Sequence, residues 1–592
     1  MKIPLGSYRR LLGDYLSTQR RKVVLLSVLL LLGIALQLAS PQVLRSFIDL
    51  AVSRGVDSAI LPRLARAALL FMGMALTQQI VTVLSAYVSE TVAWSATNAL
   101  RNDLARHCLE LDMSFHNDHR PGELIERIDG DVASLANFFS QFVIQILGNA
   151  LLMAGVLALL AREDLRLGGA MALFAAAALF LLYRVSHAAV PQWDAARQAA
   201  ADMSGFLEER LGGTEDIRSS GATDYVLRSF YAHMRNRWRA EVRAGFMVNL
   251  IVNSSMLLFA AGNAVAFALG AWLYLSGRIS LGAVFLIFQY SNLLFMPIER
   301  ISQQLGDLQK AGAGIERVLK LRERRSLLEF PPPGAGRRLQ PGALELRFDR
   351  VVFGYRAEEP VLKEVSFTLE RGRILGLLGR TGSGKTSIAR LLFRLYDPQS
   401  GSIRLGDGEA ATELRELESA EIHRRIGMVT QEVQLFAASI RENLTLFDPD
   451  VEDGRILSAL RDLGLDPWYR TLASGLDTEL ASGGSGLSAG EAQLLALVRI
   501  FLGEPSLLIL DEASSRLDPA TERLIEGALD ALCRNRTVIV IAHRLATVRR
   551  ADDILILDQG RVVESGRRAA LAADPASRFA ALLRTGLEEV LA

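Results

Sequence analysis

Residues 374–395, ILGLLGRTGSGKTSIARLLFRL, decide the fold of the second half of the chain. An apolar run is followed by a glycine-rich segment and then by residues with helical spacing. This succession predicts a strand, a loop and a helix. It is the context in which the pattern GxxxxGKT forms a phosphate-binding loop. A glycine-rich turn with a chance lysine is the alternative, and the complete pattern leaves little support for it.

The residue types in this loop suit phosphate chemistry. Gly379, Gly382 and Gly384 allow the backbone to fold around phosphate oxygens without a Cβ in the way. Lys385 would reach the β- and γ-phosphates, and the Thr386 hydroxyl suits Mg²⁺. The loop therefore predicts a site for a nucleoside triphosphate and its magnesium ion.

A second group of candidates follows two other apolar runs. In SLLILDE (506–512), the run brings Asp511 to the carboxyl end of a buried strand, facing the metal, and Glu512 follows. A carboxylate beside the γ-phosphate can orient or deprotonate the attacking water. His543, in TVIVIAHR, also comes just after a strand, where its ring could contact the γ-phosphate. Alone, such an acidic pair is often a helix N-cap and such a histidine is more often structural, but beside this loop we interpret both as catalytic.

The motifs belong to a domain that begins after a Pro- and Gly-rich boundary, FPPPGAGRRLQPGA (Phe330–Ala343). Beyond it, short β-branched runs alternate with helical stretches, which predicts an α/β domain with buried, mainly parallel strands. We place the first domain at residues 1–325, a linker at 326–343 and the α/β domain at 344–592.

The first domain holds nearly all the long apolar runs of a chain that is 50% hydrophobic. Runs near 20 residues predict six transmembrane helices. One such run, LGGAMALFAAAALFLLY (167–183), is apolar on every face, which disfavours core helices of a soluble protein. The predicted spans are about 23–48, 60–90, 137–161, 166–190, 247–275 and 281–303.

Loop charge predicts the orientation of these spans. Arginines are concentrated before the first span and in the long 2–3 and 4–5 connections, which places those segments and both termini in the cytoplasm. Both long connections have helical spacing and a short break, SFHNDHRPGE (Ser114–Glu123) and SSGATDYV (Ser219–Val226). Each break could reverse one helix into the next through a short crossing helix that docks on the α/β domain. A simple exposed turn is the alternative.

Composition excludes some other classes. A net charge of +1 gives no bulk electrostatic argument for nucleic acid, and two distant cysteines give neither a disulfide framework nor a zinc pattern. The N-terminal twenty residues are polar and basic, unlike a cleaved signal peptide. With the Arg- and Ala-rich composition, this leads us to expect a bacterial inner-membrane protein.

Taken together, the motifs make the α/β domain resemble an ABC-family nucleotide-binding domain, with its helical subdomain. The whole chain resembles an exporter-type half-transporter. The resemblance rests on the phosphate-binding loop, LSAGE (Leu487–Glu491) as the signature motif, SRLD (515–518) as the D-loop and Gln431 as the Q-loop residue. It implies ATP and Mg²⁺ as ligands, with Tyr355 stacking on adenine. The implied nucleotide-binding residues are Tyr355, Gly379, Thr381, Gly382, Ser383, Gly384, Lys385, Thr386, Ser387, Ser488, Gly490, Glu491 and Asp518. The implied metal ligands are Thr386, Gln431 and Asp511, and the implied catalytic residues are Glu512, His543, Lys385 and Gln431.

The resemblance also implies a dimer in which the signature motif of one chain completes the ATP site of the other. Since the catalytic set is complete, a homodimer is favoured over a heterodimer. The chain departs from the family at Ala489, where a second glycine is usual, at Glu491, where glutamine is common, and at Arg516. If residue 489 needed a positive φ, alanine would cost about 1 kcal/mol. Glu491 would place a carboxylate near the partner's triphosphate unless it turns away.

The spans carry amide, hydroxyl, methionine and aromatic side chains, which would suit a cavity for large amphipathic molecules. The same amides could instead join helices, and the aromatics could face lipid. We predict an ATP-driven exporter of amphipathic compounds (drug, lipid or peptide). The alternatives are a lipid flippase, an exporter-shaped importer of a metal-chelator complex, and an ATP-gated channel or regulatory subunit.

Overall fold

The computed structural model describes residues 13, 15–53, 61–135, 146–356, 358–408, 411–430, 433–481, 487–511, 519–542 and 548–585. The chain forms two compact units. The first contains residues 1–109 and 120–324, and the second contains 110–119 and 325–592. The short segment Glu110–His119 therefore interrupts the first unit in sequence but belongs to the second.

The first half of the chain is helical. Among the described residues, six helices are long and apolar enough to cross a membrane, which confirms the predicted helical membrane domain. The helices are α1 (Arg20–Ser53), α2 (Leu61–Glu110), α3 (Met113–Asp118), α4 (Pro121–Ile125), α5 (Asn149–Glu163), α6 (Leu165–Gly212), α7 (Thr214–Ser219), α8 (Thr223–Leu275) and α9 (Leu281–Glu323).

Small residues let the membrane helices approach one another closely. A Cβ on Gly168 of α6 would lie 2.5 Å from the Cα of Ala161 in α5, and one on Gly262 of α8 would lie 2.7 Å from the Phe174 ring. Such contacts are typical of helix packing in lipid, where van der Waals fit replaces the hydrophobic effect. Tyr290, fully buried on α9, donates a 2.8 Å hydrogen bond to the Leu38 carbonyl and accepts one of 3.1 Å from Gln42. This polar pair fixes α9 against α1.

Short helices lie near both predicted breaks in the long connections. α3 overlaps the first, and α7 ends at Ser219, where the second begins. Asp112 is the N-cap of α3, and its carboxylate accepts hydrogen bonds from the N–H groups of Ser114 (2.9 Å) and Phe115 (3.3 Å). An N-cap of this kind satisfies backbone donors that the first turn leaves unpaired.

The second unit is an α/β domain, as predicted. Its elements are β1 (Glu345–Phe353), β2 (Leu362–Leu369), β3 (Ile374–Gly379), α10 (Lys385–Leu392), β4 (Ser400–Gly406), β5 (Thr412–Glu413), α11 (Ser419–Arg425), β6 (Ile426–Val429), α12 (Ile440–Thr445), α13 (Asp453–Asp462), α14 (Asp466–Tyr469), α15 (Ala489–Leu502), β7 (Leu507–Asp511), α16 (Pro519–Cys533), β8 (Thr537–Ile541), β9 (Asp553–Asp558), β10 (Arg561–Arg567), α17 (Arg568–Ala573) and α18 (Arg578–Thr585).

Two sheets organise this unit. The larger has the strand order β10-β9-β3-β8-β7-β6, with β10 antiparallel and the other five strands parallel. The smaller, β2-β1-β4-β5, is antiparallel. Strands β3, β7 and β8 are almost wholly buried, as expected for parallel strands covered on both faces. The carboxyl ends of the five parallel strands lie along one edge of the larger sheet.

Candidate functional site

The loop after β3 has a backbone that glycine alone adopts without strain. Gly379, Gly382 and Gly384 have φ values of 153°, 81° and 106°. A Cβ on Gly379 would lie 2.4 Å from the Leu557 carbonyl oxygen, and one on Gly384 would lie 2.5 Å from the Leu362 side chain. A Cβ on Gly382 would meet nothing within 4 Å, so this residue faces open space. The loop is therefore closed on its protein side and open on the other.

The side chains of this loop fit a phosphate group. Lys385 is buried, and its ammonium group donates to the carbonyl oxygens of Gly379 (2.6 Å) and Arg380 (3.0 Å). The hydroxyl of Ser383 is buried without a hydrogen-bond partner among the described residues. Thr381 lies exposed at the loop, and Thr386 lies exposed on the first turn of α10. An unsatisfied hydroxyl, a buried lysine and the N-terminus of α10 are groups that suit an anion such as a phosphate.

Parallel pairing brings the other predicted residues to the same edge of the sheet. Asp511, the last residue of β7, is in register with Ile541 of β8, which is in register with Leu377 of β3. Asp511 thus lies two strands from the phosphate-binding loop and two residues short of the level of Gly379. Four predicted residues lie outside the described part of the chain: Gln431, Glu512, Asp518 and His543.

Tyr355, the predicted adenine contact, is 41% exposed and lies beside α10. Its hydroxyl is 3.1 Å from the Ser387 hydroxyl and accepts a 2.9 Å hydrogen bond from Arg390. The Arg390 guanidinium also lies 5.5 Å from the centre of the Tyr355 ring. The tyrosine is thereby attached to the helix that carries the phosphate-binding loop.

The Ser488–Gly490 corner is a second helix N-terminus with a different construction. Ser488 is the N-cap of α15, and its hydroxyl accepts a 3.2 Å hydrogen bond from the Glu491 N–H. The Glu491 carboxylate accepts in turn from the Ser488 N–H (2.7 Å) and from the Trp468 indole N–H (3.2 Å). This reciprocal arrangement is a capping box. The Glu491 carboxylate therefore turns back onto its own helix.

The departure from the family pattern at Ala489 has a mild consequence in this corner. Ala489 is the first residue of α15 and has a helical backbone, so alanine carries no left-handed strain there. Gly490 follows within the first turn and is buried. The cost of about 1 kcal/mol that alanine would have at a positive φ therefore does not apply to residue 489.

The second unit also connects Glu110–His119 with the nucleotide-binding elements. The Asn117 amide donates a 2.6 Å hydrogen bond to the Tyr396 hydroxyl, and the Tyr396 ring packs edge-on against Tyr355, with centroids 5.3 Å apart. Asp112 additionally accepts a 2.7 Å hydrogen bond from the Leu327 N–H. Burial alone would raise the pKa of Asp112, but its hydrogen bonds from Leu327, Phe115 and Ser114 hold the pKa below its usual value.

Sequence reasoning missed Trp468, Tyr396 and Asn117. No pattern in the local sequence indicates that Trp468 reaches Glu491 or that Asn117 reaches Tyr396, because the tertiary fold makes both contacts. One local signal was available for the neighbouring segment. An aspartate directly before a short helical run, as at Asp112, is typical of an N-cap.

Comparisons with known proteins agree with this architecture. The family model described as the ABC transporter transmembrane region matches residues 23–298, and the model described as ABC transporter matches residues 362–515. A bacterial Atm1-family ABC exporter with ATP bound has a similar fold, with a TM-score of 0.79 at 24% identity, covering 96% of this chain and 98% of that one.

Sequence relatives span most of the chain. A probable multidrug resistance ABC transporter ATP-binding/permease protein of Bacillus subtilis, YheH, is 31% identical over 499 residues, 82% of this chain and 72% of that protein. A fatty acid ABC transporter ATP-binding/permease protein of Mycobacterium tuberculosis is 30% identical over 531 residues, 90% of this chain and 82% of that protein. With its membrane helices, phosphate-binding loop and signature corner in this order, the chain belongs to the ABC transporter family and couples ATP hydrolysis to transport across a membrane.

Proposed function

We propose that the chain is one half of an ATP-driven exporter of amphipathic compounds. Two similar chains would assemble in a bacterial inner membrane, with their termini in the cytoplasm. Two relatives support the substrate class, since one is a probable multidrug resistance transporter and another a fatty acid transporter. The structural relative is an exporter, and we extend that direction to this chain.

The observation that carries the proposal is the presence of two helix N-termini of unequal construction. The loop at Gly379–Thr386 has its own lysine and an unsatisfied hydroxyl, whereas Ser488–Gly490 has only N–H and hydroxyl groups. In a head-to-tail pair, the second corner would complete the triphosphate site that the first corner of the other chain holds. Hydrolysis and phosphate release would then remove the group that both chains contact. The nucleotide would thereby set the balance between an associated and a separated state of the two domains.

Roles for the remaining site residues follow from this arrangement. Thr386, Gln431 and Asp511 would hold Mg²⁺, which neutralises charge on the phosphates when bound. Glu512 would orient or deprotonate water, His543 and Gln431 would contact the γ-phosphate and metal region, and Asp518 would belong to the D-loop between the chains. Tyr355 would stack on adenine. The residues around the phosphates would be Thr381, Gly382, Ser383 and Ser387.

The contacts Asn117–Tyr396–Tyr355–Ser387 would supply a physical path for coupling. They run from the segment between α2 and α4 to the helix that carries the phosphate-binding loop. Movement of that helix on nucleotide binding would therefore act on the ends of the membrane helices.

A lipid flippase is a second candidate, favoured by the fatty acid relative. Reconstitution in liposomes separates the two, because flippase activity moves labelled lipid between leaflets while export moves a soluble or weakly bound compound out of the nucleotide-accessible side. Currents without turnover-linked flux of either kind would refute the exporter and the flippase together.

The chemistry is tested by Glu512→Gln. The variant should bind ATP with near-normal affinity and lose steady hydrolysis, because the amide cannot accept a proton from water. Glu526→Gln makes the same change at an exposed position of α16 and should hydrolyse ATP normally. Near-normal hydrolysis by Glu512→Gln would reject the role assigned to this carboxylate.

A further inference from the structure

Tyr355, the proposed adenine contact, has a firm aromatic support. Its ring centre lies 5.0 Å from that of Phe353, with the rings at 78°, and 5.3 Å from that of Tyr396, with the rings at 85°. Both supporting residues are buried, whereas Tyr355 is exposed. A base stacks on an aromatic ring in an offset parallel arrangement. Since neither support is parallel to Tyr355, the two hold the ring without taking the position that a base would use.

Arg390 adds a polar contact to this support. Its guanidinium donates a 2.9 Å hydrogen bond to the Tyr355 hydroxyl, and the central guanidinium carbon lies 5.5 Å from the ring centre. The Ser387 hydroxyl lies 3.1 Å from the same tyrosine oxygen. A hydrogen bond with a charged donor is roughly twice as strong as one between neutral groups. The hydroxyl end of the ring is therefore fixed as well as its sides.

The position of Arg390 on α10 suits contact with this ring rather than with the phosphates. Arg390 follows Lys385 by five positions, which is roughly 7.5 Å along the helix and roughly 140° around it. The Lys385 ammonium group turns back to carbonyl oxygens of the phosphate-binding loop. Ser387 and Arg390 are three positions apart and share one face of the helix. That face contacts Tyr355, and the lysine lies on another.

Fixing the ring before a nucleotide arrives matters for affinity. An exposed side chain that orders only on binding loses rotational freedom at that moment, and contacts made beforehand remove part of this loss. The benefit is available only to a ligand that uses the ring, and it grows with the area that stacks. A purine should therefore gain more than a pyrimidine, and a triphosphate without a base should gain nothing.

We infer that Arg390 is a positioning residue for the nucleobase, which holds the Tyr355 ring in the orientation on which a purine stacks. It acts through Tyr355 and takes no part in the chemistry at the γ-phosphate. This inference rests on the proposed function, in which Tyr355 contacts adenine. It adds the residue that determines how much the base contributes to binding.

A series of ligands that share a triphosphate tests the inference. Binding of ATP, UTP and tripolyphosphate to the full-length protein in nanodiscs would be measured at equilibrium without magnesium, so that hydrolysis does not interfere. Arg390→Ala should weaken ATP binding about fivefold, weaken UTP binding less than about twofold, and leave tripolyphosphate binding unchanged. Arg390→Lys keeps a cationic donor and should restore part of the ATP affinity. In ATPase assays with magnesium, Arg390→Ala should raise KM about fivefold and keep kcat within about twofold.

Two changes at Tyr355 identify the contact through which Arg390 acts. Tyr355→Leu removes the ring and should weaken ATP binding about tenfold. Tyr355→Phe keeps the ring but removes the acceptor hydroxyl, so it should weaken ATP binding about fivefold, as Arg390→Ala does. When Arg390→Ala is added to either variant, no further loss should follow, because the contact is already absent.

A matched control removes a similar contact elsewhere in the second unit. The Arg536 guanidinium lies 5.4 Å from the centre of the Phe501 ring. Arg536→Ala should bind all three ligands like the wild type. The inference would be overturned by an unchanged ATP affinity in Arg390→Ala or by an equal loss of tripolyphosphate binding. A full additional loss when Arg390→Ala is combined with Tyr355→Phe would overturn it too.

These readouts separate the inference from the proposed function. If Tyr355→Leu left ATP binding unchanged, the adenine contact itself would be refuted, and the inference with it. If Tyr355→Leu weakened ATP binding while Arg390→Ala did not, the adenine contact would stand and only the role of Arg390 would be refuted. ATP-driven flux in liposomes tests export independently of both results.

Discussion

The phosphate-binding loop and the signature corner each end in a helix N-terminus, yet they are built in opposite ways. The first has three glycines at positive φ, a buried lysine bonded to backbone carbonyls, and the Ser383 hydroxyl without a partner among the described residues. The second has a helical backbone from Ala489 onward and satisfies its own donors through Ser488 and Glu491.

This difference indicates different tasks. A loop with glycines at positive φ, a cation and an unsatisfied hydroxyl is specialised to hold a phosphate chain from its own side. A capped helix start without a nearby lysine is stable by itself and offers only dipoles and N–H groups to an anion that something else holds. The comparison predicts that changes in the two regions affect hydrolysis for different reasons.

The largest effect is expected for Lys385→Ala. Removing the only lysine of the loop should lower ATP hydrolysis by about a hundredfold or more, because charge on the β- and γ-phosphates loses its direct cation. Steady-state ATPase assays and binding of a fluorescent ATP analogue would measure the loss. Lys363→Ala, at a half-buried lysine of β2, is the control and should stay near wild type. Substantial hydrolysis by Lys385→Ala would remove the distinction between the two corners.

A mixing experiment sharpens the comparison. Ser488→Arg should also lower hydrolysis about a hundredfold, because a bulky side chain blocks the anion-facing helix start. If each ATP needs Lys385 of one chain and Ser488 of the other, a dimer of the two variants retains one intact site. Co-expression of differently tagged variants, followed by tandem purification, should therefore recover activity that neither variant has alone. Failure of the mixed dimer to exceed both parents would contradict shared sites.

A smaller effect is expected at Glu491. Glu491→Gln can keep the capping box and should retain hydrolysis within about twofold, whereas Glu491→Ala should lose about 1 kcal/mol of stability and several-fold in hydrolysis. Ser439 and Glu442 form a second capping box at the start of α12. Glu442→Ala is therefore the matched control, with a similar stability loss and near-normal hydrolysis. Equal loss of hydrolysis in both alanine variants would show that the signature corner has no special role.

The smallest effect concerns pH and a region outside both corners. Because the pKa of Asp112 is lowered in the folded protein, its contribution to stability is present above the usual carboxyl pKa and is lost as pH falls through the folded value. Hydrogen exchange of Met113–Asp118 should thus be constant from neutral pH to about pH 5 and accelerate below about pH 4, after correction for intrinsic rates. Asp112→Asn should remove this dependence, and Asp118→Asn, at an exposed residue of the same helix, should keep it. If hydrogen exchange in Asp112→Asn kept the same dependence on pH, the Asp112 carboxylate would be excluded as its source.

Periodicity and motif spacing predicted the six membrane helices, the α/β domain and the strand–loop–helix around Lys385. These features depend on local sequence, so a single chain is enough to predict them. The antiparallel sheet was not foreseen, because β1 pairs with β4 across about fifty residues and alternating burial fits either strand direction. The Glu491–Trp468 and Asn117–Tyr396 contacts likewise exist only once distant elements pack.

The capping box at Ser488–Glu491 also affects how fast two chains can meet and part. A segment that orders only on association loses about 1–2 kcal/mol of conformational entropy per residue at each encounter. Here a single chain already fixes the corner through Glu491 and Trp468. Repeated association can therefore proceed as rigid-body docking of preorganised surfaces, without a refolding step in each turnover.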